Sequence, residues 1–184
     1  MNPNFTLLGI DLFEVGSDPG ATPLTASVTG PKNPTDGKNV ATITTEQVQP
    51  LVDQAVQRWE ALGVPAEWIA TLRGTPVLVD DLPNTTGHLG ETTPDGRIVL
   101  DSDAAGIGWF VDSTPGRNEE FTRSRGQGRQ GFEARPGGEA SGRYDLLTTL
   151  MHEMGHLLGL DDIDNDGRNV TLMTEDLSPG VRRL

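Results

Sequence analysis

The stretch from Tyr144 to Leu158 constrains this chain more than any other. Leu146, Leu147, Leu150, Met151, Met154, Leu157 and Leu158 recur at the spacing of a buried helix face. Inside the same stretch stands His152-Glu153-Met154-Gly155-His156, so a helix that must be buried also carries two imidazoles and a carboxylate. At about 3.6 residues per turn, positions four apart lie one above the other, and the two histidines can share one metal ion. Glu153 stands beside them, where a carboxylate can take a proton from a metal-bound water without ligating the ion.

Two ligands do not close a site. Gly159, three residues past His156, accepts positive φ and is expected to end the helix and turn the chain back. The return brings Asp162 towards the metal, and a carboxylate oxygen is a normal zinc ligand at about 2.0–2.2 Å. Asp161 is the nearby competitor, and His88, the remaining histidine, lies far upstream and reads as a loop residue. The segment Asp162-Ile163-Asp164-Asn165-Asp166-Gly167 also reads as the opening of a calcium loop. Its twelfth position is Met173, where such a loop needs a bidentate Glu, so Asp162 is assigned to zinc and Asp164 and Asp166 to solvated turn positions.

Composition narrows the partners. With 14 Lys plus Arg against 27 Asp plus Glu, the net charge of −13 argues against nucleic acid and anionic membrane surfaces as partners and fits basic peptides or divalent cations better. There is no cysteine, which removes disulfides, thiolate zinc sites and any cysteine-based latency switch. No stretch approaches the roughly 20 apolar residues of a membrane span, and any export signal is expected outside this sequence.

Along the 184 residues we read one domain at 44–184, preceded by an arm or pro-segment at 1–43 in which Asp11 or Asp18 could reach the metal. Thr44 with Gln47 suggests a capping box, and Val48, Val52, Ala55, Val56, Trp59 and Leu62 make one helical face that Gly63 and Pro65 terminate. Thr75–Val79 and Arg97–Asp101 read as strands, with Leu89–Thr92 as a partner before the Pro94-Asp95-Gly96 turn. Residues 113–143, rich in Gly, Arg, Glu and Ser, read as a long surface loop. The expected fold is α+β: a small twisted mixed sheet, two main helices, and a short C-terminal subdomain.

His152 to Asp162 resembles the extended metzincin signature H-E-x-x-H-x-x-G-x-x-H with Asp in the last place, as in snapalysin-type enzymes. Leu172-Met173-Thr174 resembles the Met-turn that metzincins place beneath the zinc, although Thr174-Glu175-Asp176 stands where several groups have a tyrosine. Leu89-Gly90-Glu91-Thr92 and the strand to Asp101-Ser102-Asp103 resemble the matrixin upper-rim strand and its successor. The resemblance implies a zinc endopeptidase with Glu153 as general base, acting on protein or peptide substrates. It also implies that Leu89, Gly90, Glu91 and Thr92 offer backbone groups to an extended peptide, and that Asp101 and Asp103 are calcium candidates, Asp112 being weaker. Glu175 and Asp176 would favour a basic residue after the cut. The chain further resembles matrixin-type modules of large bacterial surface or secreted proteins, so a non-catalytic, metal-stabilised adhesin module is the alternative. An aspzincin-type site would need a downstream G-T-x-D sequence, which is absent.

Overall fold

The structure, a computed structural model, describes residues 6–7, 10–11, 22–27, 40–83, 86–123, 131–166 and 170–184. Asp18 and the side chain of Asp11, both considered above as metal contacts, lie outside what is described. Helices and mixed sheets together make the α+β fold.

Helix α1 (Thr45–Ala61) begins at the capping box, where the Thr44 N–H donates to Gln47 Oε1 at 2.9 Å. Val48, Leu51, Val52, Ala55, Val56 and Trp59 are buried. Leu51 completes the face; Leu62, expected on it, is the C-cap and stands 37% exposed. Gly63, at φ 90°, ends the helix. Sequence reasoning placed nothing helical after Pro65, yet α2 (Ala66–Gly74) follows it and buries Ile69 and Leu72.

Strands β4 (Val77–Asp80), β5 (His88–Thr92) and β6 (Ile98–Asp101) stand close to their expected places. β4 runs parallel to β6, and β5 runs antiparallel to β6 with Gly90 opposite Leu100. The Pro94-Asp95-Gly96 turn joins β5 to β6, the Thr93 N–H donating to Arg97 O at 2.8 Å. Two strands complete this sheet beyond β5. They are β3 (Leu24–Ala26) and β11 (Asp176–Leu177), giving the order β11-β3-β5-β6-β4. Near the N-terminus, β1 (Thr6–Leu7) pairs antiparallel with β2 (Ile10–Asp11).

Residues 113–143 are not a plain loop. They contain β8 (Phe121–Arg123) and β9 (Phe132–Ala134), which join β12 (Val181–Arg182) in an antiparallel sheet of order β12-β9-β8. A small second core of Phe110, Phe121 and Ala140 holds this ribbon, with the two rings edge to face at 5.6 Å. So few apolar residues suffice because an arginine supplies the rest of the packing: the Arg182 guanidinium lies 4.3 Å from the Phe121 ring centre.

Helix α3 (Leu146–Leu157) starts two residues later than its apolar pattern suggests. Tyr144–Asp145 form β10, parallel to β7 (Trp109–Phe110). Asp145 is then the N-cap, accepting the Thr148 N–H at 3.1 Å. Its two oxygens also bind Arg182, from Nε at 3.0 Å and Nη2 at 2.8 Å. Arg182 further pairs with Asp112 at 2.8 Å, with both side chains fully buried. The helix therefore enters the core with its first turn fixed from the far end of the chain. α3 packs against α1 on one side and against β5 and β3 on the other.

Candidate metal centre

Helix α3 ends as Gly159 predicts. The Gly159 N–H donates to His156 O at 2.9 Å and the Leu160 N–H to Gly155 O at 3.0 Å, a Schellman end with Gly159 at φ 81°. The chain doubles back, and Asp162 arrives over the two histidines.

His152 Nε2 and His156 Nε2 lie 3.0 Å apart, and Asp162 Oδ1 stands 3.1 Å from the first and 3.5 Å from the second. Each imidazole is oriented from behind: His152 Nδ1 faces Leu172 O and His156 Nδ1 faces Leu160 O, both at 2.9 Å. A carbonyl oxygen only accepts, so each Nδ1 carries the proton and each Nε2 presents a lone pair. Three lone-pair donors thus converge with no hydrogen between them, and Asp162 Oδ1 is buried without a hydrogen-bond partner. Such a cluster is costly unless a cation fills it. Tetrahedral zinc with bonds of about 2.0–2.1 Å would space its ligands by about 3.3 Å, which the three separations bracket. Burial and the neighbouring His152 hold the His156 pKa below its usual value, which keeps the ring neutral, as a ligand must be. Asp161 lies outside the cluster: among the described residues, the one group of three or more potential metal donors is His152, His156 and Asp162.

The floor of the site is Met173, 3% exposed. A Cβ built on Gly155 would meet its Sδ at 2.5 Å, so the residue between the two histidines must be glycine for the methionine to sit there. The same segment pins the ligand loop, the Ile163 N–H donating to Met173 O at 2.7 Å and the Glu175 N–H to Ile163 O at 3.1 Å.

Glu153, next to His152 on the helix, is fully buried. The Thr92 hydroxyl, 2.9 Å from Glu153 Oε2, fixes its carboxyl, and the Leu24 N–H donates to Oε1 at 3.4 Å. Burial pushes the Glu153 pKa up to about 7, against the pull of His152, Thr92 and the Leu24 amide. β5 reaches this position because Gly90 has no side chain; a Cβ there would lie 3.1 Å from Thr149 Cγ2 and 3.2 Å from Glu153 Cγ.

The four upper-rim residues are accordingly beside the site, but their edge is taken. β3 pairs antiparallel with β5, Leu24 opposite Gly90 and Thr25 opposite His88, and parallel with β11. The Thr22 hydroxyl donates to Asp162 Oδ2. Sequence reasoning missed Thr22 and Leu24. The available signal was the alternation of Leu24, Ala26 and Val28 with Thr25 and Ser27, the period of a half-buried strand.

Asp101 and Asp103 stand beside each other but belong to no group of three or more potential metal donors among the described residues. Asp101 accepts the Leu82 N–H at 3.0 Å and the Ala105 N–H at 2.6 Å, and Asp103 accepts the Gly106 N–H at 2.7 Å, so these oxygens shape the turn after β6. Burial, with the neighbouring Asp103 carboxyl, raises the Asp101 pKa to about 6 against the pull of the Ala105 and Leu82 amides. Asp112 is the buried partner of Arg182. Asp176, proposed above to select a basic residue, accepts the Asn165 side-chain amide at 2.7 Å. The chain matches no family model, no curated protein and no solved structure.

Proposed function

We propose that this chain is a zinc-dependent endopeptidase of the metzincin type. The observation that carries the reading is the convergence of His152 Nε2, His156 Nε2 and Asp162 Oδ1, three unprotonated donors, beside a buried Glu153 in contact with a backbone amide.

His152, His156 and Asp162 would hold the ion, with the Leu172 and Leu160 carbonyls keeping both imidazoles in the ligating tautomer. Zinc, when bound, supplies a Lewis acid that polarises the scissile carbonyl and lowers the pKa of the attacking water. Glu153 takes the water's proton and passes it to the departing amine. A carboxyl group held at about 7 can do both near neutral pH. Thr92 keeps that carboxyl in one orientation. The β5 edge beside Glu153, on which β3 lies, is where an extended peptide would pair by main-chain hydrogen bonds.

The test is metal content and peptide cleavage after removal and return of zinc, with Glu153→Gln alongside. The wild type should bind one zinc per chain and cut peptides. The variant should keep the zinc and lose at least about 100-fold in rate. Stoichiometric zinc with no cleavage of a broad peptide library, and no effect of Glu153→Gln, would end this reading.

A further inference from the structure

The groove beside the metal centre already holds a peptide, and the peptide belongs to this chain. Residues 22–27 cross the site between two strands, antiparallel to β5 and parallel to β11. Their main chain is tied on both sides. The Thr25 N–H donates to Glu175 O at 3.0 Å, the Ser27 N–H to Leu177 O at 2.9 Å, and the Ala26 N–H to Gly87 O at 2.8 Å. Two side chains fix the position along the groove: the Thr22 hydroxyl on Asp162 Oδ2, and Leu24, 1% exposed, sunk into the apolar core. Pro23 lies between a contact to a metal donor and a contact to the general base.

The N–H of this strand that donates to the Glu153 carboxylate is that of Leu24, at 3.4 Å from Oε1. Hydrolysis of an amide requires a proton on the departing nitrogen, and Glu153 is the group that delivers it. The carbonyl carbon bonded to that nitrogen, about 1.33 Å away, belongs to Pro23. We propose that residues 22–27 are the resident substrate strand of this groove and that Pro23–Leu24 is the bond the site hydrolyses in cis. This rests on the peptidase reading above and names its first substrate. In the step, water adds across the Pro23–Leu24 amide. The carbon–nitrogen bond breaks, the water oxygen stays on the Pro23 carbonyl carbon as a carboxylate, and the proton carried by Glu153 makes Leu24 the new amino terminus.

Two consequences follow for the site. Cleavage would separate Thr22 from the seated strand and so loosen its contact on Asp162. The seat of Leu24 also describes the residue accepted after the cut: aliphatic, of leucine size and buried, rather than basic.

The experiment begins with full-length metal-free chain. Hydrogen exchange at the Thr25, Ala26 and Ser27 amides should be at least about 100-fold slower than in an unstructured peptide; exchange at open-chain rates means the strand is not seated, and the inference falls. Zinc is then added and intact mass and N-terminal sequence are followed. The expected product starts at Leu24, appears with a first-order rate constant independent of protein concentration, and is absent in Glu153→Gln and in chelator. If added peptides are cut while the chain stays intact or is cut at another bond, the inference is overturned and the peptidase reading survives. If zinc binds and neither chain nor added peptide is cut, both fall.

Discussion

Exchanging Asp162 for asparagine should act in opposite directions on the fold and on the metal. In the metal-free chain Oδ1 faces two imidazole lone pairs at 3.1 and 3.5 Å, and a buried acceptor left without a donor costs about 1–3 kcal/mol. The Thr22 hydroxyl donates to Oδ2, so the asparagine amide keeps its oxygen there and turns its NH2 towards the histidines. One new hydrogen bond recovers about 1 kcal/mol, which for a chain of this size raises Tm by roughly 2–4 °C. With zinc the order reverses, because a neutral amide replaces an anionic ligand. Even removing a group that merely orients a ligand weakens metal binding about 10- to 100-fold, so the loss here should be at least about 100-fold, or about 2.7 kcal/mol. Competition with a chromophoric chelator reads the affinity, and thermal unfolding in chelator and in excess zinc reads the two stabilities. An affinity within about 10-fold of wild type, or a metal-free variant clearly less stable than its parent, would falsify the three-acceptor account of the site.

Gly155→Ala gains about 1 kcal/mol of helix propensity. It also drives a methyl to 2.5 Å from Met173 Sδ, and overpacking of about 1–3 kcal/mol should leave the variant neutral to about 2 kcal/mol less stable. Adding Met173→Ala should remove the clash, so a double-mutant cycle by urea unfolding must show coupling; strict additivity would mean the methionine does not sit there. Arg182→Met strands Asp112 and Asp145 in the core and should cost about 3–5 kcal/mol in urea unfolding. A loss below about 1 kcal/mol would mean that water reaches these carboxylates.

The helices were legible where burial and chemistry coincide. α1 and α3 announce themselves because one face must be apolar along several turns, and the two histidines of the candidate metal centre ride on the second of them. Gly159 could be assigned its role because only one backbone conformation ends a helix and returns the chain so quickly. β5 and β6 were legible from alternation around a Pro-Asp-Gly turn. β8 and β9 were not, since their packing partner is an arginine whose charge is neutralised by two aspartates distant in sequence. β3 was hidden for a related reason. Its alternation spans only Leu24 to Val28 among Gly, Pro, Thr and Asn, and its three residues are held by main-chain hydrogen bonds from strands on either side. The β5 strand was therefore found, and the strand lying on its edge was not.

Asp145 is both the cap of the site helix and the partner of Arg182. During synthesis the ribosome makes His152 and His156 well before Arg182, and domains consolidate only as their late contacts emerge. Without Arg182 the buried Asp145 cap of the helix bearing both imidazoles would lose the cation that compensates its charge. The order of the helix that carries His152 and His156 thus depends on a residue that follows both of them in the sequence.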